Sequence, residues 1–100
     1  MILPLRQAIA GKLERDNGIV ADPLSEIVVT CGASGAYIAA LHGLFDPGDG
    51  ILLFEPYYGY HRNAAVVAGL VPQCAILEGP GYEVTEAGIL GAIDERTRAV

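Results

Sequence analysis

Two short segments of the sequence have residue types suited to binding a ligand, and the first is Gly32-Ala33-Ser34-Gly35. It connects an apolar, β-branched run to a helical pattern, where the first backbone amides of the helix and its dipole attract a phosphate or carboxylate. Gly32 lets the backbone approach an anion closely, and the Ser34 hydroxyl adds a donor. The turn alone is also consistent with Ser34 acting only as a helix cap.

The second segment spans residues 55–60 and reads Glu-Pro-Tyr-Tyr-Gly-Tyr. Its three tyrosines follow the end of an apolar run, so they offer a flat aromatic face for a planar ligand or, alternatively, pack into a core. A phosphate-binding turn and an aromatic face, each following a predicted strand, together suit a phosphorylated aromatic cofactor. Neither segment contains a Cys or His pattern with metal-ligand spacing, so we expect no metal site.

Strands and helices alternate along the chain, which predicts an α/β fold with a largely parallel sheet. Ligands of such sheets bind beyond the carboxyl ends of the strands, where both segments lie. Thr85 is predicted to cap the last helix. The predicted elements are a helix from Pro4 to Asn17-Gly18, a strand over 26–31 buried on both faces, a helix over 34–45, a strand over 50–55, a helix over 59–68, a strand over 71–77, a helix after Thr85 and the start of a strand at Thr97.

Composition excludes several classes of function. Six basic against twelve acidic residues give a net charge of −6, which disfavours nucleic acid and anionic membrane surfaces as partners. The uncharged run from Val28 to Phe45 approaches the length of a membrane span, but its glycines and polar residues favour a strand, a turn and a helix.

Cys31 and Cys74 stand apart in apolar surroundings and are predicted to be buried free thiols, and no export signal precedes Arg6. We therefore expect a cytoplasmic protein.

The ordered motifs of the chain resemble the class I/II aminotransferases, which are pyridoxal-phosphate enzymes of fold type I. The resemblance spans nearly the whole sequence. The matching motifs are Leu-Arg-Gln-Ala-Ile-Ala at 5–10, Asn-Gly at 17–18, Ile-Val-Val-Thr-Cys-Gly-Ala-Ser at 27–34, Asp-Pro-Gly-Asp at 46–49, Glu-Pro-Tyr-Tyr-Gly-Tyr at 55–60 and Glu-Arg-Thr-Arg-Ala-Val at 95–100.

The resemblance implies a role for four residues. Gly32, Ala33 and Ser34 correspond to the family's turn for the cofactor phosphate, and Tyr58 to the aromatic residue that stacks on the pyridine ring. It further implies that residues 1–100 are the N-terminal part of the large cofactor-binding domain, a three-layer α/β sandwich, with no boundary inside them. The parent enzyme would use pyridoxal 5'-phosphate to transfer an amino group between an amino acid and a 2-oxo acid, as a homodimer.

The family's catalytic residues are expected downstream of the matched segment, so no catalytic residue is assigned here. They are a lysine that forms a Schiff base with the cofactor, a carboxylate for the pyridine nitrogen and an arginine for the substrate. Lys12 is the one lysine of this sequence and alternates with apolar positions of a helix, which indicates a solvated face. The sequence therefore looks like a fragment that is inactive alone, and it does not separate a transaminase from a lyase, decarboxylating synthase or cyclopropane-forming synthase.

Two alternatives remain open from the residues themselves. A small α/β module that binds a phosphate at Ser34 without chemistry would account for the absent catalytic lysine. A serine hydrolase would use Ser34 at a nucleophile elbow with Asp46 or Asp49 and His61, although Ala36 replaces the last glycine of that motif. His61 fits better on a helix surface beside Arg62, and the other histidine, at position 42, is expected to pack in a core or interface.

Overall fold

The computed structural model describes residues 2–100 and divides them into two compact units. The first unit ends at Ala36, and the second runs from Tyr37 to Val100, so the division falls inside one helix. The assignment of residues 1–100 to a single large domain stays a prediction. In chain order the elements are α1 (Leu3–Asn17), α2 (Gly32–Leu44), β1 (Gly50–Glu55), α3 (Gly59–Val67), β2 (Val71–Ile76), α4 (Glu86–Ala92) and β3 (Thr97–Ala99).

The first unit is built around α1. Pro4 lies in its first turn, where the missing amide of proline costs nothing. The helix ends because Gly18 takes φ of 67°, which glycine adopts without strain, and its amide bonds the Glu14 carbonyl at 3.2 Å. None of the residues of α1 is buried, and Leu5 is 49% exposed.

A turn around Asp22 follows α1. The Asp22 carboxylate accepts hydrogen bonds from the Ser25 hydroxyl at 2.6 Å and from the Leu24 amide at 2.9 Å. The Ser25 hydrogen bond is the main cause that lowers the pKa of the Asp22 carboxyl. Arg6 of α1 donates to the Leu24 carbonyl, so the turn is fastened to the helix.

The prediction of a doubly buried strand over 26–31 is wrong for this structure. Residues 27–30 form no strand, and Val28 is 80% exposed, although Ile27 is buried. A strand exists only where a neighbouring strand pairs with its backbone. Among the described residues the sheet consists of three other strands, so this segment has the composition of a buried strand but no partner.

The second unit contains a three-stranded parallel sheet in the order β2-β1-β3. The central strand β1 follows the turn at 46–49, in which the Asp46 amide donates to the Asp49 carboxylate at 2.9 Å. The strand has the predicted bounds, and its residues Gly50, Ile51 and Leu52 are buried. The α/β class and the parallel sheet are thus confirmed. A cis peptide bond joins Glu55 to Pro56 immediately after β1.

The core of the second unit lies where α2, α3 and the sheet pack together. Its buried members are Leu41, Ile51, Ala64, Ala65 and Leu70. The helices α3 and α4 both pack against β2. Ala64 and Ala65 are the buried residues of α3.

The predicted burial of Cys31 and Cys74 is wrong, because both are exposed. His42 is also exposed, so it does not pack in a core, and its place in an interface stays a prediction. Cys31 follows the segment that lacks strand neighbours, and Cys74 lies on β2, an edge strand in which only Ala75 is buried.

Candidate functional site

The glycine-rich turn lies at the beginning of α2, within the first unit. Gly32 has φ of 73°, a left-handed conformation that side chains rarely adopt, and it is the first residue of the helix. Its amide donates to the Thr30 carbonyl at 2.9 Å, and the Thr30 hydroxyl donates to the Gly32 carbonyl at 2.8 Å. These two bonds fold the chain sharply from the extended segment into the helix.

The same turn has the features that an anion requires. The amides of the first turn of a helix have no carbonyl partner within that helix, and they carry the positive end of its dipole. No acidic residue lies in the first turn of α2, and Gly32, Ala33 and Ser34 are all exposed. A phosphate therefore fits this helix terminus in charge and in access.

Tyr58 lies in the second unit, directly before α3. Its carbonyl accepts a hydrogen bond from the His61 amide at 2.9 Å, which closes the first turn of that helix. The Tyr58 side chain is 68% exposed, whereas Tyr57 and Tyr60 are half-buried. Of the three clustered tyrosines, Tyr58 is therefore the one whose ring is most accessible to a planar ligand.

The Tyr58 ring is one member of an aromatic cluster, defined here as Tyr37, Tyr58, Tyr60 and His61. The Tyr58 and His61 rings are nearly perpendicular, at 85°, with centroids 5.4 Å apart. The His61 ring lies 4.6 Å from that of Tyr37, and the Tyr58 and Tyr60 rings are 6.2 Å apart. Such offset and edge-to-face arrangements are the favourable geometries of aromatic pairs.

Tyr37 lies on α2 and connects this cluster to the core of the second unit. Its hydroxyl donates to the His61 carbonyl at 3.2 Å, and its ring packs against the core of the second unit. Burial raises the pKa of the Tyr37 hydroxyl, so it remains a protonated donor in neutral solution. Sequence reasoning missed this contact, because the two residues are 24 positions apart and Tyr37 lies in an ordinary helical pattern.

The structure also describes the surroundings of His61 and Lys12, the other residues that the sequence analysis considered for chemistry. His61 is half-buried between two tyrosines rather than free on a helix surface. Lys12 lies on α1 and donates to the Asn17 side chain at 2.6 Å in an exposed position, as its pattern predicted. Within residues 2–100, no three His, Cys, Asp or Glu side chains gather as metal ligands would. None of the helices formed by these residues is long and apolar enough to cross a membrane.

The family model and the curated relatives that match this chain are all aminotransferases. Residues 2–100 match the family model of aminotransferase class I and II. The sequence is 37% identical over 99 residues to a probable N-succinyldiaminopimelate aminotransferase of Mycobacterium tuberculosis, covering 97% of this chain and 25% of the relative. It is 36% identical over 96 residues to the methionine aminotransferase of Escherichia coli, covering 96% of this chain and 25% of that protein.

Solved structures agree with the sequence relatives. The Escherichia coli protein identified as a methionine aminotransferase superposes with a TM-score of 0.89 at 35% identity, over 96% of this chain and 25% of that one. N-succinyldiaminopimelate aminotransferase of Mycobacterium tuberculosis gives a TM-score of 0.88 at 37% identity, over 96% and 26%. The chain spans about a quarter of the length of the relatives it matches.

Proposed function

Since the chain belongs to the aminotransferase class I and II family, we propose that it supplies cofactor-binding residues of a pyridoxal-phosphate-dependent aminotransferase. The observation that carries this proposal is the exposed turn at Gly32, which has a left-handed backbone and opens a helix whose first turn lacks acidic residues. The parent enzyme transfers an amino group between an amino acid and a 2-oxo acid. We further propose that it acts in the cytoplasm as a homodimer, with neither nucleic acid nor a membrane as a partner.

Gly32, Ala33 and Ser34 bind the cofactor phosphate. Backbone amides at the start of α2 donate to the phosphate oxygens, and the positive end of the helix dipole favours the dianion. The Ser34 hydroxyl contributes a further donor. Thr30 supports the turn through its hydrogen bond to the Gly32 carbonyl.

Tyr58 orients the cofactor by stacking on its pyridine ring. The accessible phenol ring presents a flat apolar face, and the perpendicular contact with His61 restrains its tilt. When bound, pyridoxal phosphate supplies an electron sink for bonds at the substrate's α-carbon. The residues of this chain contribute binding and orientation, and Lys12, paired with Asn17 on α1, has no part in proton transfer.

The first experiment is to sequence the DNA on both sides of the codons for residues 1 and 100. An in-frame continuation that encodes an Asn-Pro motif, then an aspartate and a Ser-x-x-Lys segment, would support the aminotransferase. A stop codon directly after Val100, together with a start at Met1, would contradict it and leave a phosphate-binding module without chemistry. A serine hydrolase is not proposed, since the matched family consists of aminotransferases.

The second experiment measures retention of pyridoxal 5'-phosphate by the polypeptide that the whole reading frame encodes. Ser34→Ala should weaken binding by about tenfold to a hundredfold, since a hydrogen bond to a charged group contributes about 1.5–3 kcal/mol. Ser25→Ala is the matched control, because that hydroxyl bonds Asp22 within a turn of the first unit. Equal retention by both serine variants would contradict the assignment of Ser34.

A further inference from the structure

We propose that Tyr37 is a positioning residue, which acts through His61 to hold the Tyr58 ring in the orientation that a planar ligand needs. The inference rests on the proposed function, in which Tyr58 stacks on the cofactor ring. It assigns Tyr37 and His61 a part in binding, which is to limit the motion of Tyr58. Both lie in the second unit together with Tyr58.

The first step of the argument is that Tyr58 needs restraint. It precedes α3 and is 68% exposed, so few contacts limit its rotation. An exposed side chain that becomes fixed on binding loses conformational entropy, which weakens affinity for the ligand. A binding surface formed by such a residue is stronger when neighbouring groups fix the side chain beforehand.

The second step is that His61 contacts the Tyr58 ring and limits its rotation. The two rings stand at 85° with centroids 5.4 Å apart, so one ring directs its edge to the other. The His61 amide also donates to the Tyr58 carbonyl at 2.9 Å, which ties the two backbones into one turn. Rotation of the Tyr58 ring toward α3 is therefore limited by His61.

The third step is that His61 is itself fixed by Tyr37. The rings of His61 and Tyr37 are 4.6 Å apart, and the Tyr37 hydroxyl donates to the His61 carbonyl. The Tyr37 ring is anchored in turn against the buried cluster of the second unit. The restraint thus runs from the core through Tyr37 and His61 to the exposed ring of Tyr58.

The experiment uses the polypeptide encoded by the whole reading frame, labelled with ¹³C in its histidine rings. The variants are Tyr37→Leu, which removes the ring, and Tyr37→Phe, which keeps the ring and removes the hydroxyl. Tyr82→Leu is the matched control, since Tyr82 is an exposed tyrosine outside the aromatic cluster. His61→Gln assigns the resonance. The probe is pyridoxine 5'-phosphate, whose alcohol cannot form an imine with a lysine.

Before any ligand is added, the His61 ring protons should resonate upfield in the wild type, because aromatic rings lie beside them. Tyr37→Leu should reduce that shift, because it removes the ring 4.6 Å from His61, while Tyr37→Phe and Tyr82→Leu should keep it. Affinity for pyridoxine 5'-phosphate should fall about three- to tenfold in Tyr37→Leu, the effect of freeing one or two side chains. In Tyr37→Phe it should change by no more than about twofold, since the ring contact remains.

The outcomes separate this inference from the proposed function. Absence of the upfield shift in the wild type overturns the inference, as does unchanged affinity in Tyr37→Leu when the shift is reduced. A lower melting temperature of Tyr37→Leu with full affinity assigns Tyr37 to stability alone and also overturns it. If the wild type fails to bind pyridoxine 5'-phosphate although the shift is present, the proposed function fails instead.

Discussion

The Thr97 hydroxyl donates a hydrogen bond to the Gln73 side-chain oxygen at 2.6 Å, which joins the two outer strands of the sheet across β1. The Gln73 side chain passes over Gly50, the first residue of β1. Gly50 in turn donates its amide to the Arg96 carbonyl at 2.7 Å. One end of the sheet is therefore held by side chains as well as by the backbone ladder.

Gly50→Ala should destabilise this end of the sheet. A Cβ at position 50 would overlap the Gln73 side-chain oxygen and lie 3.2 Å from the Arg96 carbonyl carbon. Overpacking of this kind costs about 1–3 kcal/mol. The measurement is the hydrogen-exchange protection of the β1 amides, which reports local opening.

Two controls sharpen the Gly50 prediction. In a Gln73→Ala background the cost should fall, because only the Arg96 backbone then opposes the new methyl group. Gly11→Ala should instead stabilise α1 by up to about 1 kcal/mol, since nothing lies near its added Cβ and alanine favours a helix. Undiminished protection in Gly50→Ala would contradict the described packing.

Thr97→Val should weaken the link between the outer strands. The Thr97 hydroxyl donates to Gln73 and accepts the Asp94 amide at 2.9 Å, so valine removes both bonds while keeping the shape. The expected cost is about 1 kcal/mol per hydrogen bond, measured as urea sensitivity of β3 amide protection. Thr97→Ser, which retains the hydroxyl, should recover most of it.

Thr85→Ala should loosen α4. The Thr85 hydroxyl accepts the Gly88 amide at 3.1 Å, which satisfies one of the unpaired amides of the first turn. Loss of this cap should cost about 1 kcal/mol of local helix stability, detected as faster exchange of the α4 amides. Thr85→Ser should exchange like the wild type, and equal rates in all three proteins would show that the cap contributes nothing.

The Asp94 carboxyl should titrate at an unusually low pH. Hydrogen bonds from the Arg96 side chain at 2.8 Å and from the Arg96 amide lower its pKa from 3.8 to about 2. Because the folded-state pKa lies below the unfolded value, the stabilisation is present above pH 3.8 and is lost as the pH falls through about 2.

The carboxyl ¹³C shift of Asp94 measures this titration directly. Arg96→Gln should move the midpoint toward 3.8, since the side-chain hydrogen bond is the largest cause of the shift. Arg98→Gln is the control, because Arg98 lies 3.9 Å from Asp49 and not at Asp94. A midpoint near 3.8 in the wild type would contradict the described pair.

The sequence predicted best those elements whose signals are local. The Asp-Pro-Gly-Asp turn and the apolar run after it set the bounds of β1 correctly, and Thr85 caps α4 as its position indicated. Local signals failed where the structure depends on distant partners. The segment 26–31 has the composition of a strand but finds no pairing strand among residues 2–100, and Cys74 lies on an edge strand instead of a buried one.

In the candidate site, too, local features were predictable from the sequence and contacts between distant residues were not. The turn at Gly32 was predictable because glycines separate an apolar run from a helical pattern, whereas its left-handed φ of 73° is a finding of the structure. The contact between Tyr37 and His61 was not predictable, because it joins residues of two helices that are 24 positions apart in the sequence. The roles of Gly32, Ala33, Ser34 and Tyr58 in binding stay predictions.

A graded series at Gly32 tests whether the backbone of this turn carries phosphate binding. A Cβ at position 32 would meet no protein atom within 4 Å, so a loss of affinity comes from the positive φ or from obstruction of the phosphate itself. Asparagine tolerates this conformation better than alanine, and a β-branched residue tolerates it least. Affinity of the whole reading-frame polypeptide for pyridoxine 5'-phosphate should therefore fall in the order Gly, Asn, Ala, Val. Gly35→Ala would place its Cβ in van der Waals contact with Thr30 at 3.4 Å without altering a positive φ, so a larger loss there than at Gly32→Val would place the sensitivity in packing instead.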